Sequence, residues 1–472
     1  MAERWQDLPL DQPLFRNVDD DAVIGFQLGI ENGYTTELGG HSRFPGMVPF
    51  AELADEGRVY LHDWNQNLIA VTSRGRIYSI DRQGNVRDRT GALVAGGRRV
   101  IFAKTDREIT MAAGGSIVRL RSAESELLSK DAPQASHVAF VDRFLLAAEI
   151  NSGRFFHSKA GLYDEWDPLD TFAADGDPDN INALMVTPFR EVMVTGRNSI
   201  EQFEPSQSGA VPFFRRWSVG EGVAAPYCML FADNAMWVVN KLFEFARASG
   251  QVAVSESGPI QRLLESVDDW SDAWIGGFPD KPLHILGQKF ILLQIPNATN
   301  PYGEKGITLL FDYRNRRWSE LYGWSTENGV ATRWPGWSHW SLWGRTFVGG
   351  EGRVYELRED NYDIAGERQR WLVRTGHMAT NTEVMVKALR LRIKRGEGGN
   401  GQTPSIAVRC RRDQREFGPW IRRSLGRPGQ RTPIIEFGGF GIAHTFQFEI
   451  SCEDNAAVEL MNAQIHTEDV GA

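Results

Sequence analysis

The sequence predicts an all-β protein: a β-propeller of about seven blades with an N-terminal arm and a C-terminal β-sandwich or jelly-roll-like domain. Three observations predict it. Short alternating segments closed by turn residues recur roughly every 40 residues between Arg58 and Asp360, the period of propeller blades. Almost no helical pattern interrupts them, and from about Arg368 the strand-like runs lengthen. These changes set the expected domains at 1–57 (arm and strands), 58–360 (propeller) and 361–472 (sandwich).

One unit illustrates the repeat. Between Asn67 and Arg89, Ile69, Val71, Ile77, Tyr78 and Ile80 sit in β-favouring runs, and Arg74-Gly75 and Gln83-Gly84-Asn85 supply turns. The pattern returns from Arg99, His137, Ala183 and Ala225, then from Leu283 with a continuation from Gly306, and again from His339. Radial repetition of this kind limits exposed sheet edges. The first 50 or so residues carry Pro9, Pro13, the acidic run Asp19-Asp20-Asp21 and Pro45, and read as an extended arm with one or two strands that docks elsewhere. After Arg368 six runs read as strands joined by Greek-key-like loops: RWLVRTGHM, VMVKALRLRIKR, SIAVRCRR, TPIIEFGGF, HTFQFEIS and VELMNAQIHT.

Composition agrees. A chain of 472 residues can bury a large core, and 48 Gly, 15 Trp and 26 Phe describe a turn-rich, aromatic-rich β protein. The N-terminus lacks a basic start followed by an apolar core, and no run of 18 apolar residues occurs, so neither a signal peptide nor a membrane span is expected. Cys228, Cys410 and Cys452 stand far apart in apolar contexts and read as buried packing residues of a reducing compartment.

The net charge of −9 is unevenly distributed. Lys387, Arg390, Arg392, Lys394, Arg395, Arg409, Arg411, Arg412, Arg415, Arg422, Arg423, Arg427 and Arg431 face only Glu397, Asp413 and Glu416 in the same stretch. Strand alternation puts Lys387, Leu389, Leu391, Ile393 and Arg395 on one face and Arg390, Arg392 and Lys394 on the other, which is a basic stripe. It suits a polyanion or an acidic neighbouring subunit as well as a solvated outer face. Aromatic residues do not alternate with the basic ones, which argues against sequence-specific nucleic-acid reading.

No enzyme is expected, and no catalytic, cofactor or metal set. Gly396, Gly398 and Gly401 spell GxGxxG, but between two strands and with no helix following, so they read as a hairpin loop. Asp175, Asp177 and Asp179 have the spacing of a calcium loop, yet Asn180 and Val186 replace its required Gly and Glu. The nine histidines are scattered singly. Trp334, Trp337, Trp340 and Trp343 recur every third residue; exposed, they would stack on sugar rings, so a lectin or glycosidase acting on surface polysaccharide is the rival reading. Aromatic residues at blade joints more commonly pack blades together, and the Pro335-Gly336 turn breaks any regular face.

Two motifs carry a family resemblance. Ser42 to Met47 reads SRFPGM, in which Arg43, Phe44, Pro45 and Gly46 resemble the R-S-F-P-G of the packaged-DNA stabilisation proteins of short-tailed bacteriophages. The segment from Asn198 resembles that family's S-x-I-E-x-F strand and its later G-(I/V)-A-x-x-Y-C-x-x-x-F-A-D. Ser199, Glu201, Phe203, Gly222, Val223, Ala224, Tyr227, Cys228, Phe231, Ala232 and Asp233 carry it. GPIQRLLESV from Gly258 resembles the short helical segment that follows there. The resemblance spans about Arg43 to Val267 in scattered blocks. These residues read as structural, with Phe44-Pro45-Gly46 a turn into the first blade and Tyr227, Cys228 and Phe231 core.

The resemblance implies a tail hub, or nozzle, of a virion tail, made in the host cytoplasm. It implies a homo-oligomeric ring, usually of six copies, beneath portal and adaptor proteins, prolonging the channel for double-stranded DNA without sequence specificity. Tail fibre, spike or needle proteins would attach to it, with no membrane insertion by this chain. The basic stripe would face the adaptor or a neighbouring subunit rather than the bore.

Overall fold

In a computed structural model of the chain, the described residues are 4–8, 10, 29–174, 176–206, 211–276, 283–285, 288–395, 404–413, 415–426 and 434–470. Their regular structure is almost all strand, with one short helix and one 3₁₀ turn among the described residues. Five four-stranded antiparallel sheets follow one another over 59–88, 101–127, 135–173, 183–219 and 229–255. Each is a meander from the axis outward. The inner strand Val59–Trp64 is buried nearly throughout, whereas the outer strands Val86–Asp88 and Val252–Ser255 are exposed. Inner strands packed on both faces therefore read as continuous apolar runs rather than clean alternation.

A sixth sheet closes the circle. Its strands run Ser338–Leu342, Arg345–Gly349, Arg353–Arg358 and then Gly46–Glu52, so the chain's early strand completes its last blade. Ser338 Oγ donates to Val59 O at 2.9 Å, joining last blade to first. Phe44-Pro45-Gly46 thus leads into the outer strand of the last blade, not into the first blade as the sequence suggested. Register decides it, since Gly46 pairs with Arg358 and Glu52 with Arg353.

Among the described residues six blades are self-contained, rather than the seven expected. The remaining unit, strands Trp274–Ile275, Gln288–Thr299, Lys305–Asp312 and Arg317–Glu320, belongs to a sixteen-stranded sheet that continues into the C-terminal region. The reason is its edge: Asn32 N donates to Glu320 O at 2.7 Å and Ile30–Glu31 pairs alongside, covering the backbone groups a free blade would leave to water. Its first strand still reaches the axis, where Ile275 N donates to Tyr227 O at 3.0 Å. Rings fill the joints between units, as where Trp237 and Phe245 meet Phe311 at 5.5 and 5.2 Å between centroids. The 3₁₀ turn Gly258–Ile260 and the helix Gln261–Glu265 pack Ile260, Leu263 and Leu264 onto the same core.

All six C-terminal runs form strands. The 18-residue strand Met378–Arg395 pairs with Val458–Asp469 on one edge, and with Ile442–Cys452 and Ile434–Gly438 in turn on the other. Ile442–Cys452 also binds Trp371–Arg374 and Ser405–Arg412. Because both long strands change partner midway, the hydrogen-bonded ladder stays one sheet wrapped over its core, and the two separate sheets of a sandwich are not resolved. Arg4–Asp7 pairs with Val458–Asp469, so the arm docks on this region.

Candidate functional site

The inner strands enclose an axial cavity of about 410 Å³. Tyr60, Arg99 and Tyr227 border it and also border a second cavity of about 330 Å³, reached by Arg58, Asp272 and Trp337. Arg99 therefore stands in a layer between the two. Its guanidinium lies 4.0 Å from the Trp274 ring centroid and 5.1 Å from that of Tyr60. Burial draws its pKa down to about 10, so it remains cationic. His137 stacks on Tyr227 at 5.5 Å, and its Nε2 lies 3.2 Å from Pro226 O. Burial draws the pKa of His137 and His339 down to about 4, leaving both neutral at pH 7. Burial raises that of the Tyr227 phenol to about 12. Lys104 Nζ pairs with Asp63 Oδ2 at 2.6 Å on the same wall.

The family-motif residues are mostly structural in their contacts. Arg43 is 1% exposed and its guanidinium donates to four backbone carbonyls, those of Asp454, Ala456, Tyr362 and Gln369. It thereby ties the strand before the propeller to the C-terminal loops. Phe44 is fully buried among Tyr34, Phe290 and Trp334, and Pro45 is buried beside it. A Cβ on Gly46 would sit 2.2 Å from Asp363 O. Ser199 Oγ donates to Asp179, and the buried Glu201 accepts from Gly176 N at 2.9 Å and Arg215 at 3.1 Å. Phe203 packs on Phe155. Gly222 passes the Arg197 carbonyl so closely that a Cβ would lie 2.1 Å from it. Val223 and Ala224 donate backbone N–H groups to Gly196 O and Val239 O. Cys228, Phe231 and Ala232 are buried, and Asp233 with Asn234 forms a tight hairpin turn at φ of 52° and 53°. Of this set Tyr227 alone, with its neighbour Pro226, reaches the axial cavity.

The basic stripe is largely matched by its own carboxylates. Lys387 pairs with Glu468 at 2.6 Å, Arg390 with Glu436 at 2.5 Å, Lys394 with Glu459 at 3.2 Å, Arg409 with Glu449 at 2.5 Å and Arg422 with Glu453 at 3.5 Å. Arg390 also lies over Trp5, at 3.9 Å. Arg411 Nε donates to Arg415 O at 2.6 Å. Among the described residues Arg392, Arg412, Arg415 and Arg423 are exposed and carry no ion pair. The alternation needs one correction: a bulge between Val386 and Ala388 turns Lys387 away from Leu389, so it is partly exposed while Val386 and Leu389 are buried. The Arg395 side chain, Arg427 and Arg431 lie outside the described residues.

Trp334, Trp337 and Trp340 are buried at 0, 5 and 3% exposure, so the indoles that would have stacked on sugars are packing residues. Arg58 and Arg333 cover the Trp337 ring at 4.0 and 3.8 Å, and Trp340 stacks on His62. Trp343 packs on Phe347. The GxGxxG glycines and Asp175 lie outside the described residues, while Asp179 accepts from Asn198 N at 2.6 Å as a turn cap. Cys228 and Cys452 are buried, but Cys410 is only partly so.

Two features had no sequence signal. Arg99 reads as the second half of an ordinary Arg-Arg turn. Glu31, Arg370, Arg374, Glu449 and Tyr302 form a buried polar network drawn from four distant segments. Arg374 binds Glu31 at 2.6 Å and Glu449 at 2.7 Å, Arg370 binds Glu31 at 2.8 Å, and the Tyr302 hydroxyl joins Glu31 and Arg370.

Similar folds include the extracellular domain of a hybrid two component system from B. thetaiotaomicron, at 12% identity and a TM-score of 0.47, over 73% of this chain and 43% of that one. Virginiamycin B lyase from Staphylococcus aureus matches at 9% identity and 0.43, over 65% and 97%. This chain thus spans less than half of the first. No curated protein matches in sequence. Residues 25–261 match the family described as "Bacteriophage P22 Gp10, beta-propeller", half of the chain and the part that holds both motifs. The chain therefore belongs to the packaged-DNA stabilisation family of bacteriophages and is a phage structural protein built on a propeller.

Proposed function

We propose that the chain forms a tail hub ring below the portal and adaptor of a short-tailed phage, lengthening the DNA channel, retaining packaged DNA and seating fibre, spike or needle proteins. Family membership over 25–261 carries the reading. The architecture supports a mechanical part: the last blade is closed by the early strand Gly46–Glu52, and the polar network around Glu31 clamps propeller to C-terminal region. Within one subunit the axis is a small cavity bordered by Arg99, so duplex DNA would pass along subunit walls and not through a propeller. A closed ring needs two different surfaces that meet with a closing rotation. The exposed arginines 392, 412, 415 and 423 supply one surface, fitted to an acidic patch on the adjacent copy or the adaptor.

Negative-stain electron microscopy of the purified chain, alone and mixed with portal and adaptor from the same genome, tests this. Rings, or a ring capping the adaptor, are expected. A double Arg392→Glu and Arg412→Glu variant should keep the subunit's stability to within about 0.5 kcal/mol and lose the ring. A persistent monomer that ignores the adaptor overturns the proposal.

A further inference from the structure

We propose that the axial cavity is a binding site for a small organic carboxylate, held by Arg99. The argument begins with charge. Arg58 pairs with Asp272 at 3.2 Å, Arg333 approaches Glu351 at 3.8 Å, and Lys104 pairs with Asp63. His137 and His339 are neutral. Arg99 alone among these cations has no carboxylate within ion-pair distance among the described residues, and only ring faces touch its guanidinium. A half-buried guanidinium with no carboxylate paired to it keeps its donors free, and its planar fork matches a carboxylate.

The neighbouring wall supplies a second, independent observation. His339 is 3% exposed and also lines the cavity, its ring held against the Gly276 backbone. Its ring lies 6.5 Å from Trp274, the same indole that Arg99 covers at 4.0 Å. A cation with free donors and a neutral imidazole thus flank one indole. Val138, Met185, Met229 and Ile275 give the same wall an aliphatic part, beside the paired Lys104 and Asp63. A cavity of about 410 Å³ is within the range that takes small organic ligands. The carboxylate would sit on Arg99 and the organic body against these aliphatic side chains.

Calorimetric titration of the full chain with benzoate, and separately with inorganic phosphate, tests the site. One saturable benzoate site per chain is expected, with weaker phosphate binding. Arg99→Gln should weaken benzoate at least tenfold, while Arg99→Lys retains part of the affinity. Thermal unfolding of each variant without ligand confirms that it is folded, and Met185→Trp, which fills the cavity and spares Arg99, should block benzoate independently. No saturable benzoate binding by the parent chain overturns the proposal. So does phosphate binding more tightly than benzoate, or undiminished affinity in a folded Arg99→Gln. Ring formation is a separate readout, so the hub can fail without the cavity failing.

Discussion

Glu31→Ala should destabilise the chain by about 3–5 kcal/mol, the usual result of removing one partner from a buried ion pair. Glu31 is 1% exposed, and the side chains of Arg370 and Arg374 are 17 and 6% exposed, so water compensates little for a missing charge. Burial pushes the Glu31 carboxyl up, but the Arg374 and Arg370 charges overcome this and hold it down to about 2 from 4.5. That preference for the ionised form corresponds to roughly 3 kcal/mol, the same order as the truncation estimate. The sign follows from a folded pKa that is depressed. The stabilisation is complete above the unfolded value of 4.5 and is lost as pH falls toward 2. Urea unfolding followed by tryptophan fluorescence at pH 7 and pH 3 measures it. The gap between parent and Glu31→Ala should be large at pH 7 and smaller at pH 3, where the parent is itself losing the interaction. Glu31→Gln, which keeps the shape and one acceptor, should fall between the two. An equal gap at both pH values, or a loss under 1 kcal/mol at pH 7, would refute the claim that this charge clamps the junction.

Gly222→Ala should lower the urea midpoint by an amount equivalent to about 1–3 kcal/mol, because its Cβ would lie 2.1 Å from the Arg197 carbonyl and only backbone can move. An unchanged midpoint would show that the loop shifts freely. The thiols give another check: burial raises the pKa of Cys228 and Cys452, and that of Cys410 to about 12. Native protein at pH 8 should therefore react slowly with a thiol reagent at all three positions and quickly after denaturation, with Cys410 the fastest in the folded state.

Much of the fold was legible in the sequence for a local reason. Hairpins declare themselves through residues that take positive φ, as at Gly75 and Gly84, and through apolar runs a strand can bury on one or two faces. The C-terminal runs were readable in the same way, and so was the buried role of Trp334, since an indole beside a Pro-Gly turn at a blade joint has packing to do.

What the sequence by itself determined was the repeated strand unit, the all-β class, the short helix after Gly258 and the motifs that mark the family. Only the tertiary structure decided the rest. Which blade Gly46–Glu52 completes depends on pairing with Arg353–Arg358, some 300 residues away. The unit over 274–320 is no separate blade because Ile30–Glu31 covers its edge, and no local pattern announces which edge will be covered. Lys387 changed sides through a single bulge. Arg99 and the Glu31 network acquired their character from partners brought together across the chain, because charge, burial and counter-charge are properties of a place in space and not of a position in sequence.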